Sequence, residues 1–211
     1  MGNNANSTEL LQVPFERSCV PFRMSKHDIV AESLMRFRLE PPGVTCFNTR
    51  VFDADTKEQK FELVRAAASY RIDILTHDGL VVMSIKEKPF EGYYRVYEGI
   101  EREAHSFTVR VRGTVSSAVI SCEFQDRISG DRVRVFTEGD CSDSVAIFYR
   151  TSAKVIGRIR RPELSEDEYL VGTGGVDMTM LLMLWVVRHD MEERQGRMGS
   201  VPPITRTQVS S

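Results

Sequence analysis

The residues with the clearest chemical potential lie between Ser144 and Pro162, where every ionisable side chain other than Tyr149 is cationic: Arg150, Lys154, Arg158, Arg160 and Arg161. In "KVIGRIR" a period-two alternation sends Lys154, Arg158 and Arg160 to one face and Val155 and Ile159 to the other. Such a row suits successive anionic groups, and near an anionic leaflet each cation contributes about 1 kcal/mol. Lys154, Arg158, Arg160 and Arg161 are therefore the expected contacts to lipid headgroups. Arg110 with Arg112, Arg132 with Arg134, and Lys86 with Lys88 form similar outward rows. The competing reading is a solvated face that resists edge-to-edge aggregation, lying next to the acidic run Glu163, Glu166, Asp167 and Glu168.

Other motifs point away from catalysis and metal binding. "GTGG" at Gly172–Gly175 has neither P-loop nor GxGxxG spacing and reads as a tight strand-to-helix turn. "DADTKE" opens like an EF-hand loop, but Lys57 and Glu58 stand where a ligand and a glycine are required, so Asp53 and Asp55 are assigned to a hairpin turn. Cys19, Cys46, Cys122 and Cys141 form no CxxC pair, and His27, His77, His105 and His189 are scattered. No nucleophile elbow, Cys/His arrangement or suggestive carboxylate pair appears. A non-enzymatic protein with no metal and no cofactor is expected.

The N-terminus carries one address. "MGNNANST" places Gly2 behind the initiator Met, as N-myristoylation requires, with Asn6 at the motif's Ser/Thr position and Ser7 one place late. The alternative is an uncharged tail. A single acyl chain binds membranes only reversibly, so a stable anchor needs a second signal. The chain opens without a charged and then apolar leader, which leads to the expectation of a reducing, cytoplasmic setting.

The elements that must position these residues are legible in the alternation. "SYRIDIL", "VVMSIK", "SFTVRVR", "RVRVF" and "KVIGRIR" each read as half-buried strands. "HDG" at His77–Gly79 and "SGD" at Ser129–Asp131 supply hairpin turns between them. Further runs bring the total to about a dozen strands at meander spacing, which is an all-β barrel or sandwich. With 41% hydrophobic and 27% charged residues the chain is globular, and its net charge of −2 gives no global push toward nucleic acid. Residues 1–12 and 196–211 are expected to be tails, and 13–195 a single domain.

One helix is expected, over about 176–194, with Asp177 in its first turn and Gly196 as its stop. Its apolar part, Val176–Val187, is about 18 Å long at 1.5 Å per residue. A membrane span needs about 20 apolar residues to cross about 30 Å, so no transmembrane span is expected. A helix that is apolar all round and not in lipid must be surrounded by protein, and a barrel of strands can provide that surround.

In order, "FDAD" (Phe52–Asp55), "HDG", "YYRVYEG" (Tyr93–Gly99), "FTVR" (Phe107–Arg110) and "GGVDMTMLLMLWVVRHDM" resemble the LURP-one-related proteins, over roughly residues 15–195. That family shares a structural group with the tubby C-terminal domain and the phospholipid scramblases. The resemblance implies a closed antiparallel barrel of about twelve strands wrapped around the C-terminal helix. The scramblases' calcium segment and cysteine-rich acylation cluster have no counterpart here. The leading expectation is a membrane-associating module for anionic phospholipid or phosphoinositide, peripheral on a cytoplasmic membrane face. The alternatives are a scramblase-like protein and a soluble signalling adaptor.

Overall fold

The computed structural model describes residue 24 and residues 30–40, 48–66, 70–88, 91–99, 106–113, 118–138, 144–149, 154–160 and 168–199, with the side chains of 138, 144–146, 148–149 and 194–199 excepted. The alternating runs form twelve strands: β1 (Met35–Glu40), β2 (Thr49–Asp53), β3 (Gln59–Ala66), β4 (Arg71–Thr76), β5 (Val81–Lys88), β6 (Tyr93–Glu98), β7 (Phe107–Arg112), β8 (Val119–Gln125), β9 (Arg132–Glu138), β10 (Ser144–Tyr149), β11 (Lys154–Arg160) and β12 (Glu168–Gly172). Each pairs antiparallel with the next. β12 then pairs with β1, Met35 opposite Gly172 and Leu39 opposite Glu168, so the sheet closes into a barrel without a free edge.

The turn chemistry foreseen in the sequence is present. Gly79 (φ +84°) and Gly130 (φ +77°) take the left-handed conformation at the β4–β5 and β8–β9 tips. At the β2–β3 tip the Asp53 carboxylate accepts from the amides of Asp55 and Thr56, both at 2.9 Å, which is a side-chain-braced turn and not a calcium loop. Burial pushes the Asp53 carboxyl up, but these hydrogen bonds and the nearby Lys60 outweigh it and hold the group below the usual carboxylate range.

The barrel is filled by α1 (Met178–Gly199). From Met178 to Val187 no side chain exceeds 4% exposure, including those on opposite sides of the helix, as required of a helix enclosed on every side. The wall approaches the helix closely where Gly157 and Gly172 face each other across β11 and β12. A Cβ on Gly157 would sit 2.9 Å from Leu181 Cδ2, and one on Gly172 would meet the Met178 sulfur and lie 2.9 Å from Leu181 Cδ1. The "GTGG" segment is the expected strand-to-helix turn, with Gly175 at φ +87° and its amide donating to the Ala31 carbonyl at 2.6 Å.

Buried polar groups fix the start and the middle of the helix in its surroundings. Asp177 is fully buried; its Oδ1 accepts from the amides of Thr179 (2.9 Å) and Met180 (3.1 Å), and its Oδ2 from the amide of Met24 (2.9 Å). Asp177 is therefore the N-cap and not a first-turn residue, a difference that arises because its carboxylate satisfies helix amides that would otherwise be orphaned. Further along, Asp190 accepts from Arg65 Nη1 (2.6 Å) and the Tyr94 hydroxyl (3.0 Å), and the Trp185 indole donates to Glu168. The helix also continues through Gly196, beyond the expected end near residue 194. A lone glycine costs about 1 kcal/mol in a helix and does not by itself stop one. Among the described residues no helix is long and apolar enough to cross a membrane.

Candidate functional site: the basic outer wall

Inward positions are taken by the packing on α1, so any surface chemistry belongs to the alternate residues that leave the wall outward. On β11, Gly157 faces Leu181, which directs Arg158 and Arg160 to the outer face. Lys154 and Arg160 are exposed, whereas Arg158 is only 8% exposed. Burial, and then the neighbouring charge of Arg160, hold the Arg158 guanidinium below its ordinary pKa. The expected solvent-facing row is therefore interrupted at its centre. The cause is the burial of the whole Val155–Ile159 stretch, where a register shift between β10 and β11 adds Ile156 as an extra residue. Arg161 and Gly2 lie outside the described residues.

The barrel places two cations beside this row that the sequence reading passed over. Arg158 and Arg36 flank Val171 across β12, and Arg160 and Arg38 flank Tyr169. Arg38 stacks over the Phe52 ring at 5.0 Å, and Arg36 pairs with Asp55. The alternation in "MRFRLE" was the available signal for both.

A broader basic surface covers the outside of β4–β9. One register row runs Arg71, Lys86, Arg95, Thr108, Glu123, Arg134 on six consecutive strands, each residue directly opposite the next. The adjacent row runs Lys88, Tyr93, Arg110, Ser121, Phe136. Arg71 is braced by Asp73 (2.8 Å) and Arg95 by the Tyr93 hydroxyl (3.2 Å), which raises the Arg95 pKa further. Arg110, Arg112, Arg132 and Arg134 line a groove of about 730 Å³ over β7–β9, in which Glu123 is the acid and pairs with Arg132 at 2.9 Å. Side chains two apart on a strand stand about 7 Å apart, and those on β7 and β9 about 10 Å, so the groove can meet more than one anionic group at once. Sequence alternation identified these arginines as outward; the pairing of β7 and β9 with β8 shows that the Arg110 and Arg132 rows flank the same strand.

Three further reactive groups fall among the described residues, whereas Cys19, Cys46, Cys141, His27 and His105 lie outside them. Cys122 is buried, and burial pushes its thiol up to about 12, which withholds the thiolate needed for nucleophilic chemistry. His77 lies in the β4–β5 tip, and His189 stacks on Trp185 at 4.8 Å with its Nδ1 3.4 Å from Glu193. Among the described residues no cluster of His, Cys, Asp and Glu could hold a metal ion.

No family model and no curated protein matches the chain. The structure is similar to the X-ray structure of a protein from Arabidopsis thaliana, with a TM-score of 0.60 and 13% identity, over 77% of this chain and 94% of the other. At that identity the likeness establishes fold alone: this chain is mainly β, a closed antiparallel barrel carrying its C-terminal helix inside, and it shares that architecture with the plant protein.

Proposed function

We propose that this protein is a non-enzymatic, membrane-associating module that binds anionic phospholipid or phosphoinositide through outward basic strand residues, on the cytoplasmic face of a membrane. The carrying observation is the alignment of Arg71, Lys86 and Arg95 directly opposite one another on three neighbouring strands. Like charges in such cross-strand pairs cost a sheet stability, which Asp73 beside Arg71 offsets in part, and the row offers an anionic partner three neighbouring cations. Lys154, Arg158 and Arg160 on β11, with Arg36 and Arg38, offer a second patch of the same sign, to which the sequence adds Arg161 as an expected contact, and a myristoyl group on Gly2 would supply the additional signal that stable attachment needs. The barrel shared with the Arabidopsis protein agrees with the fold implied by the sequence's resemblance to the LURP-one-related proteins. The scramblase-like alternative would require withdrawing Met178–Val187 from complete enclosure, and its burial weighs against that.

Cosedimentation with phosphatidylserine-containing vesicles tests the proposal. Binding should be absent on pure phosphatidylcholine and should weaken as salt rises. Lys86→Glu with Arg134→Glu should reduce it by at least about fivefold per cation removed. Equal binding to both vesicle types would refute it.

A further inference from the structure

Several arginines of the outer wall are matched to carboxylates, Arg36 to Asp55, Arg71 to Asp73 and Arg127 to Glu98. Arg110 and Arg112, exposed and two apart on β7, have no carboxylate partner among the described residues, yet both line the groove over β7–β9. Arg134 and Arg132 line it from β9. Arg110 stands opposite Ser121 on β8, and Arg134 stands opposite Glu123, one outward position further along. The Cα atoms of Arg110 and Arg134 are therefore about 10 Å apart across the strands and about 7 Å along them, roughly 12 Å in all. The four arginines run diagonally over the face, with Ser121 and Thr108 between the two pairs.

Of the acids on these strands and their tip, Glu123 lines the groove and pairs with Arg132 at 2.9 Å. Asp126 is buried, accepting from the amides of Ile128 and Ser129. Asp131 is exposed beside Arg132, and Glu138 ends β9 about 13 Å of strand beyond Arg134. Within the groove, four cations thus face one carboxylate among the described residues. Resting on the reading of this wall as a headgroup surface, we propose that the groove is a discrete site for a compact ligand bearing two or more phosphate groups, the chemistry of an inositol polyphosphate. An arginine fork takes two oxygens of one phosphate, and the Ser121 and Thr108 hydroxyls can donate to the others. Glu123 is the resident counter-ion, which the ligand displaces from Arg132. A single phosphate meets one arginine pair, whereas a ligand with several spans both and gains from their linkage.

Titration calorimetry of the full chain with inositol hexakisphosphate, and with inorganic phosphate for comparison, tests the site. The first should bind one per chain, and the second at least about 25-fold more weakly. Arg110→Gln/Arg112→Gln should weaken inositol hexakisphosphate binding at least about 25-fold, about fivefold per cation. Arg160→Gln, on β11, should leave it within about twofold. Glu123→Gln should strengthen it about fivefold, with urea midpoints confirming that each variant is folded. Vesicles carrying bisphosphorylated phosphatidylinositol distinguish the sources of the phosphates. Tighter binding to these vesicles than to the free compound assigns the site to a headgroup, and the reverse assigns it to a soluble ligand; both uphold it. Undiminished binding by the Arg110→Gln/Arg112→Gln variant, an equal loss in Arg160→Gln, or weaker binding by Glu123→Gln overturns the site. Sedimentation with phosphatidylserine vesicles without binding of inositol hexakisphosphate overturns the site and leaves lipid binding standing. Binding of inositol hexakisphosphate without sedimentation on any anionic vesicle upholds the site and overturns lipid binding.

Discussion

Replacing Asp177 with alanine removes a fully buried carboxylate that holds the start of the helix. Its carboxylate accepts from Thr179 and Met180 at the start of α1 and from Met24 across the chain, all without access to water. Loss of an N-cap costs about 0.5–2 kcal/mol. Leaving the Met24 amide without its acceptor adds about 1–3 kcal/mol. Relief of the buried charge's own desolvation opposes these losses, so a net cost of about 3 kcal/mol is expected. For a chain of this size that lowers the melting temperature by about 10 °C. Asp177→Asn keeps an oxygen for the helix amides but turns a donor toward Met24, and should fall between wild type and Asp177→Ala. Urea and thermal unfolding followed by far-UV circular dichroism would give this order. A midpoint for Asp177→Ala within about 0.5 kcal/mol of wild type, or Asp177→Asn as the weaker variant, would refute the capping argument.

Gly172→Ala forces a methyl group into the space held by Met178 and Leu181 and should cost about 1–3 kcal/mol in urea unfolding. Gly130→Ala, with nothing near its missing Cβ, should cost only the backbone term of about 1–2 kcal/mol. Asp53→Ala should lose about 1 kcal/mol at neutral pH. Because the folded pKa of Asp53 lies below its ordinary 3.8, its stabilisation is present above that value and lost as pH falls through the folded pKa. The urea midpoints of wild type and Asp53→Ala should therefore converge in strong acid. Cys122 should stay unlabelled by a thiol reagent at pH 8 in folded protein and react once urea unfolds it, as peptide mapping would show.

The architecture was legible because it rests on local patterns. Alternation in "SFTVRVR" and "RVRVF", the Asp-Gly tip and an apolar helix too short for a bilayer leave a barrel around a plug as the solution that buries everything. Features that depend on long-range neighbours were not legible. Asp177 reads as a first-turn acid until Met24 is found against it, and Arg158 reads as exposed until the covered stretch Val155–Ile159 is seen. The candidate site was half legible for the same reason. Each strand announces its own cations, but the register that aligns Arg71 with Lys86 and Arg95, and joins Arg160 to Arg38 through Tyr169, exists only once twelve strands are paired.

The central claim is that aligned cations on the barrel's outer wall bind anionic lipid. Its most direct test is the vesicle affinity of wild type against Lys86→Glu/Arg95→Glu, measured across a series of phosphatidylserine fractions, with unfolding midpoints confirming that both proteins are folded. Wild-type affinity should rise steeply with the phosphatidylserine fraction, and the double variant should bind at least about 25-fold more weakly at every fraction. Equal affinity of the two folded proteins would contradict the account.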